Sequence, residues 1–173
     1  MAAQKSSKKA SAKGGVEQVL VITRVFDAAR KHVFRAWTDP KRLVRWWGPK
    51  GFTTPVYHSD FRPGGVYRSC MRSPDGKDYW STGVYREIVE PTRFVCTDSF
   101  SDAEGNVVPA SEYGMGSEWP LEMLLTVTFD EIKGKTTVTL RHELGSAPAK
   151  DAEMCRQGWS ESLDKLAEEL AKP

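Results

Sequence analysis

Three kinds of side chain in this sequence could take part in acid–base, nucleophilic or metal chemistry. They are the histidines, the thiols and three acids, namely His32, His58, His142, Cys70, Cys96, Cys155, Asp60, Asp98 and Glu112. No two histidines or cysteines have the spacing of zinc ligands, and no predicted helix carries such a pair four residues apart. We therefore expect neither a dedicated metal site nor a bound cofactor.

Covalent catalysis has weak support from the spacing of these groups. The sequence has no GxSxG elbow that would present a serine nucleophile, and a pair of Cys96 with His142 requires their two strands to be adjacent. A small buried cysteine is the favoured interpretation of Cys96. The run Gly114-Met115-Gly116 lacks the lysine and the third glycine of a phosphate-binding loop, so it is interpreted as flexible-loop sequence.

Two polar residues are predicted to point inward from strands. His142 alternates in step with Val138 and Leu140, and Asp98 alternates in step with Cys96. His142 is either a hydrogen-bonded core histidine or a group for ligand recognition or proton transfer. Asp98 is either a strand-end acid that caps the following loop or an inward carboxylate.

Hydrophobic periodicity predicts the elements that position these residues. Strands are predicted where the period is two, over Val19–Asp27, Thr53–Phe61, Val66–Arg72, Tyr79–Glu90, Arg93–Phe100, Leu121–Glu131 and Lys135–Glu143. Helical spacing predicts three helices, over Ala28–Thr38, from Asp39 through Trp46 and Trp47 to Gly48-Pro49, and over Asp151–Ala171. This order, without βαβ alternation, predicts an α+β fold with an antiparallel sheet.

Two further features bear on a binding site. The long connection from Ser101 to Pro120 contains Tyr113 and Met115, and loops of that length are functional or mobile. It is either a flap that supplies apolar contacts and one hydroxyl or a loop packed on its own domain. Gly158 inside the last helix costs roughly 1 kcal/mol relative to alanine, which close packing or room for a ligand beside Trp159 would explain.

Composition favours one domain with a tail. The chain has 173 residues, 39% of them hydrophobic, which suits a single domain over residues 17–173. Residues 1–16 contain four lysines and no acid, and their composition predicts a disordered basic tail. The rest shows no basic stripe, so nucleic acid is not an expected partner.

The same composition suggests a compartment. No apolar run approaches the length of a membrane span, and the lysine-rich start lacks the apolar stretch of a secretory signal. Three cysteines without CxxC spacing favour reduced thiols over a disulfide framework. We therefore expect a cytoplasmic protein.

Several motifs together resemble a known superfamily. They are Trp46-Trp47-Gly48-Pro49, Arg62-Pro63-Gly64-Gly65, Gly83-Val84-Tyr85, Glu90-Pro91, Glu104-Gly105-Asn106, Thr136 to Leu140, and Gly158-Trp159 with Leu163 and Leu166. From about Val19 to Leu170 the chain resembles the SRPBCC superfamily of START domains and birch-pollen-type allergens. Within it, the chain is most similar to homologues of the activator of the ninety-kilodalton heat-shock ATPase. The resemblance implies a helix-grip fold, in which a curved seven-stranded antiparallel sheet wraps a long C-terminal helix and two short helices close a cavity.

The resemblance implies several functions, because members of the superfamily bind lipids, steroids or polyketides, convert them, or assist a chaperone. The leading hypothesis is binding of a small hydrophobic or aromatic ligand in the cavity. The candidate ligand-binding residues are Trp46, Trp47, Trp80, Asp98, Tyr113, Met115, His142 and Trp159. Of the tryptophan pair, one ring is expected in the core and the other at the cavity mouth. The alternatives are a cyclase or hydrolase that uses His142 or Asp98, and an interaction module with a chaperone partner, as a monomer or homodimer.

Overall fold

The computed structural model describes residues 15–173, in which the strands and helices follow one another in the predicted order. The elements are β1 (Gln18–Phe26), α1 (Arg30–Thr38), α2 (Pro40–Leu43), β2 (Thr53–Ser59), β3 (Val66–Arg72), β4 (Asp78–Val89), β5 (Arg93–Ser101), β6 (Met123–Ile132), β7 (Lys135–Gly145) and α3 (Ala149–Leu170). The predicted basic tail, residues 1–16, lies almost wholly outside the described residues. Within those residues, no helix combines the length and apolarity that crossing a membrane requires.

The seven strands form one curved antiparallel sheet. Its order is β1-β7-β6-β5-β4-β3-β2, so that β1 joins the edge of a simple meander through β7. The register of the central strands places Phe94, Val127 and Leu140 in line across β5, β6 and β7. The predicted α+β helix-grip architecture is confirmed.

The long helix α3 packs on the sheet through an amphipathic face. Leu163 and Leu166 are fully buried and belong to a cluster with Val127, Phe129 and Leu140 of the sheet. Burying each large apolar side chain contributes about 1.5–3 kcal/mol. The apolar face of α3 is therefore the face that packs on the sheet.

The second short helix ends earlier than the sequence predicts. Asp39 caps it by accepting a hydrogen bond from the Lys41 N–H at 2.9 Å, with proline at the first helical position as expected. It then stops at Leu43, because the N–H groups of Arg45 and Trp46 bond to carbonyl oxygens three residues back rather than four. The tryptophans thus occupy the turn after the helix rather than its last turn.

A close approach between β3, β4 and β5 depends on Gly83. A Cβ atom at this position would lie 1.9 Å from the carbonyl oxygen of Thr97 and 2.4 Å from Cε1 of Tyr67. Both distances are shorter than any van der Waals contact. The missing side chain lets the ring of Tyr67 lie across β4, with its hydroxyl 2.7 Å from Asp98.

We predict that Gly83→Ala lowers the free energy of unfolding by about 1–3 kcal/mol, because the new methyl group must displace strand backbone. Urea denaturation followed by tryptophan fluorescence measures this loss. Gly158→Ala is the matched control: its Cβ would meet only Cγ of Pro49, at 3.4 Å. The control should gain about 0.5–1 kcal/mol from helix propensity. Equal losses in the two variants would contradict the assigned role of Gly83.

Candidate functional site

A partly open cavity of about 330 Å³ lies between α3 and the sheet. This volume falls within the range of small-molecule sites, roughly 300–1,000 Å³. Strands β3 to β7, the N-terminal half of α3 and two loops all contribute to the lining. Seven aromatic residues line it, namely Trp47, Phe52, Tyr79, Trp80, Phe100, Trp119 and Trp159.

The cavity wall is also rich in sulfur. Four of the five methionines of the chain line it, and Cys155 adds a thiol, giving the set Met71, Met115, Met123, Met154 and Cys155. Unbranched thioether side chains change rotamer at low cost and make favourable contacts with aromatic rings. The wall can therefore adjust its shape to a ligand.

A buried polar network crosses the cavity floor from β7 to β3. Nε2 of His142 lies 3.0 Å from Oδ2 of Asp98, and the hydroxyl of Tyr67 donates to Oδ1 of Asp98 at 2.7 Å. The side chain of His142 is 5% exposed and that of Asp98 is 21% exposed. The N–H at Nε2 is not well directed at the carboxylate, so this buried nitrogen has no aligned hydrogen bond. Electrostatic attraction couples the two groups.

The other nitrogen of His142 faces helix α3. Nε1 of Trp159 donates to Nδ1 of His142 at 3.2 Å, and Sγ of Cys155 lies 3.8 Å from the same atom. Cys155 and Trp159 are four residues apart, so they share one face of α3. An indole N–H can only donate, which makes Nδ1 the acceptor in this contact.

The surroundings shift the pKa values of this network. Burial by itself lowers the pKa of His142, but the contact and the negative charge of Asp98, helped by Cys155, raise it to about 9. Burial opposes ionisation of Asp98, yet His142 and Tyr67 hold the pKa of this carboxyl below its usual value. Burial, with the charge of Asp98, raises the pKa of Tyr67 well above its ordinary value. Asp98 thus favours the protonated form of His142, in which the two groups are an ion pair. The hydrogen bond from Trp159 to Nδ1 belongs to the neutral form, because a protonated imidazole has no acceptor nitrogen.

The structure places six of the eight predicted site residues on the cavity wall: Trp47, Trp80, Asp98, Met115, His142 and Trp159. Trp46 lies in the core instead, fully buried, with Nε1 donating to the carbonyl oxygen of Ala36 at 2.9 Å. Tyr113 lies outside the cavity wall, and its hydroxyl donates to the carbonyl oxygen of Ser101 at 2.5 Å. Binding by any of the eight stays a prediction.

Sequence reasoning missed Tyr67 and Cys155 as members of the network. Cys155 follows the same helical spacing as Trp159, so that spacing could have placed the thiol beside the indole. Tyr67 carries no comparable signal, because its contact with Asp98 depends on the close approach at Gly83.

One rim of the cavity is a loop fastened to α3 by a lysine. Nζ of Lys165 donates to the carbonyl oxygens of Gly48, Pro49 and Phe52 at 3.1, 3.4 and 3.2 Å. Burial lowers the pKa of Lys165. These contacts hold Trp47 and the loop after it against the helix.

The opposite rim is the long connection between β5 and β6. It contains a short 3-10 helix, Ala110–Tyr113, that the sequence did not predict. The connection is attached to α3 through Asp151, whose Oδ2 accepts hydrogen bonds from the Gly116 N–H at 3.1 Å and from Nε1 of Trp119 at 2.8 Å. Met115 and Trp119 thereby reach the cavity wall.

Within residues 15–173, no group of three or more His, Cys, Asp or Glu side chains is arranged to hold a metal ion. The polar groups of the cavity wall include one imidazole, one carboxylate, one thiol and three serine hydroxyls, of His142, Asp98, Cys155, Ser81, Ser99 and Ser162. Such a set can recognise a polar group of a ligand or move a proton.

A family model described as Activator of Hsp90 ATPase homolog 1-like protein matches residues 27–171. No curated protein matches the sequence.

Solved structures share the fold over most of the chain. A protein from Chromobacterium violaceum is 29% identical, with 90% of this chain and 98% of that chain covered and a TM-score of 0.74. One from Arthrobacter aurescens is 28% identical, with 90% and 87% covered and a TM-score of 0.72. The AHSA1 protein from Silicibacter pomeroyi is 26% identical, with 89% and 98% covered and a TM-score of 0.70.

We predict that the ion pair makes stability depend on pH. The folded pKa of His142, about 9, exceeds its ordinary value of 6.5, so the contribution is fully present below pH 6.5 and lost as pH rises through about 9. The free energy of unfolding should fall by about 1–3 kcal/mol over this window. Asp98→Asn removes the negative charge that raises the pKa of His142. The loss of stability that comes from His142 should therefore be absent in this variant. Denaturant titrations at several pH values measure it, and parallel profiles of the two proteins would contradict the assignment.

Proposed function

The chain belongs to the family of Activator of Hsp90 ATPase homolog 1-like proteins, and we propose that it binds a small hydrophobic or aromatic ligand between the sheet and α3. The observation that carries this proposal is the cavity of about 330 Å³ with its aromatic and sulfur-rich wall. A core built only for stability is packed to the density of an organic crystal, with few voids larger than a water molecule. A space of this size within an otherwise buried core supports a binding role.

Apolar burial would supply most of the affinity. Each Å² of apolar surface removed from water contributes about 25 cal/mol, before the costs of association are subtracted. The rings of Trp47 and Trp159 lie 5.3 Å apart at 88°, which leaves their faces in different directions. A flat ligand can stack on one of these faces while it meets the edge of the other ring.

The ion pair of His142 and Asp98 would supply orientation. Asp98 is the more exposed member and lines the cavity, so a hydroxyl of a ligand can donate to its carboxylate. The poorly directed N–H at Nε2 of His142 offers a donor to a carbonyl oxygen. A ligand with an apolar body and one oxygen function at its end fits both requirements.

A second candidate function is a cyclase or hydrolase acting on such a ligand. The observation that favours it is the 3.0 Å contact of His142 with Asp98, the arrangement of a general acid or base with a carboxylate that orients it. The chaperone interaction that the family description names is a third hypothesis, for which an assay of chaperone ATPase activity is the test.

We predict that filling the cavity abolishes binding. Gly158 lines the cavity in the middle of α3, and Gly158→Leu would place a side chain in the space of the ligand while improving helix propensity. Tryptophan fluorescence and thermal stability, measured against fatty acids, sterols, flavonoids and aromatic polyketides, identify a ligand of the wild-type protein. Saturation at about 100 times the dissociation constant stabilises the native state by about 2.7 kcal/mol. The variant should bind that ligand at least about tenfold more weakly.

Gln157→Leu is the matched control, because it adds the same side chain at the neighbouring exposed position. It should leave the affinity unchanged. A wild-type response that survives unchanged in Gly158→Leu would place the ligand elsewhere and contradict the proposal. No response to any compound of the panel would shift support to the chaperone hypothesis.

We predict for the enzyme hypothesis that turnover of an identified ligand depends on the ion pair. His142→Gln and Asp98→Asn should each lower kcat by about 100-fold or more, because general acid–base catalysis contributes on that scale. Product formation is followed by chromatography, with circular dichroism as the check of folding. Turnover that persists in both folded variants would eliminate this mechanism.

A further inference from the structure

The thiol of Cys155 lies where the cavity meets the His142–Asp98 pair. We propose that Cys155 is a nucleophile that adds to the electron-poor double bond of an α,β-unsaturated carbonyl compound held in the cavity. This inference rests on the proposed binding function and names the reactive group that its ligand would carry. It assigns Cys155 a role beyond that of a wall residue.

The first support is a continuous line of functional groups from the thiol to the sheet. Sγ of Cys155 lies 3.8 Å from Nδ1 of His142, Nε2 of His142 lies 3.0 Å from Oδ2 of Asp98, and Tyr67 donates to Oδ1 of Asp98 at 2.7 Å. A nucleophile beside a base that a third group orients is the general arrangement of activated thiols. The buried Nε2 has no aligned hydrogen bond, so the imidazole is not a fully satisfied core residue.

The second support is the contrast with the other two thiols. Cys70 and Cys96 are buried, and desolvation raises the pKa of each. Cys155 is half-buried and lines the cavity. Of the three, Cys155 alone combines access from the cavity with a neighbouring imidazole.

Trp159 occupies Nδ1 of His142 before any ligand reacts. Its Nε1–H donates to Nδ1 of His142 at 3.2 Å, closer than the thiol at 3.8 Å, so the two donors compete for one nitrogen. The indole keeps the lone pair of Nδ1 aimed at this corner of the cavity and limits proton transfer from Cys155. A variant that retains a ring without the N–H separates these two effects.

The proposed reaction is an addition in which all atoms are retained. In the neutral form of His142, the thiol proton moves to Nδ1, and the sulfur of Cys155 attacks the β-carbon of the ligand. The sulfur–carbon bond forms while the carbon–carbon π bond breaks, and its electron pair moves through the α-carbon to the carbonyl oxygen as an enolate. His142 returns the proton to the α-carbon, and the product is a saturated thioether adduct.

The wall of the cavity favours this addition over acyl transfer. Acyl transfer needs a leaving group and a water molecule that releases the acyl group from the thiol, whereas the cavity wall around Cys155 is largely aromatic and sulfur-rich. Conjugate addition needs neither water nor a leaving group. An apolar, aromatic wall suits an enone carried on aromatic rings.

The test compares chalcone, an aromatic enone, with dihydrochalcone, its saturated counterpart. Full-length protein is incubated with each, and adducts are measured by intact-mass spectrometry and assigned by peptide mapping. We expect one chalcone on Cys155, formed at least about tenfold faster than on Cys70 or Cys96. Cys155→Ser should give no adduct at this position.

Two variants test the role of the imidazole. His142→Gln should slow the adduct at Cys155 by about tenfold or more, because it keeps a polar side chain without the base. Trp159→Phe should accelerate it about threefold or more, because Nδ1 loses its competing donor. An unchanged rate in both variants, or equal labelling of all three cysteines, would overturn the proposal.

The paired compounds separate failure of this proposal from failure of the binding function. Binding of dihydrochalcone, read by tryptophan fluorescence, without any chalcone adduct on Cys155 would overturn the nucleophile and leave the cavity as a binding site. Absence of both binding and adduct would contradict this proposal together with binding of aromatic ligands of this shape.

Discussion

The buried contact between His142 and Asp98 is the constraint on which the interior of this protein depends. Taking two ionisable groups out of water costs several kcal/mol per ion unless each finds partners. Tyr67 supplies a hydrogen bond to one end of the pair and Trp159 to the other. Gly83 has no side chain because the tyrosine must cross β4 to make its contact. One polar pair thus accounts for a glycine, a tyrosine and a tryptophan on three different elements.

The cavity follows from how the hydrophobic core is divided. One cluster joins α1, Trp46 and the C-terminal half of α3 to the sheet, and a second joins Trp119, Met123 and the N-terminal half of α3. Trp159 packs against both clusters and stands beside His142, at the boundary between them. The rigid clusters hold α3 at both ends, so the space beside its middle stays open without loss of the fold.

The sequence predicts elements and faces well because periodicity records which side of each element is buried. The order of strands, the amphipathic α3 and the inward parity of Asp98 and His142 all follow from it. Periodicity carries no information about contacts between strands that are not adjacent, so the pairing of Asp98 on β5 with His142 on β7 was not predicted. The adjacent residues Trp46 and Trp47 show the same limit of periodicity. Trp46 enters the core and Trp47 reaches the cavity because α2 ends at Leu43. The position of this helix end depends on local hydrogen bonds.

The cavity combines two kinds of wall with different mechanical properties, and this division bears on specificity. The polar groups sit on strands and are fixed by mutual contacts, so for a ligand bound as proposed the position of an oxygen function would be selected strictly. The methionines around them can repack at little cost, so the apolar body of such a ligand would be selected loosely. Rejection of a wrong polar group is strong because it leaves a buried partner unpaired, whereas one extra methylene changes binding only modestly. Under the proposed function, such a cavity would discriminate among ligands by their functional group more than by their shape, which is the selectivity that a reactive thiol beside the same polar pair requires.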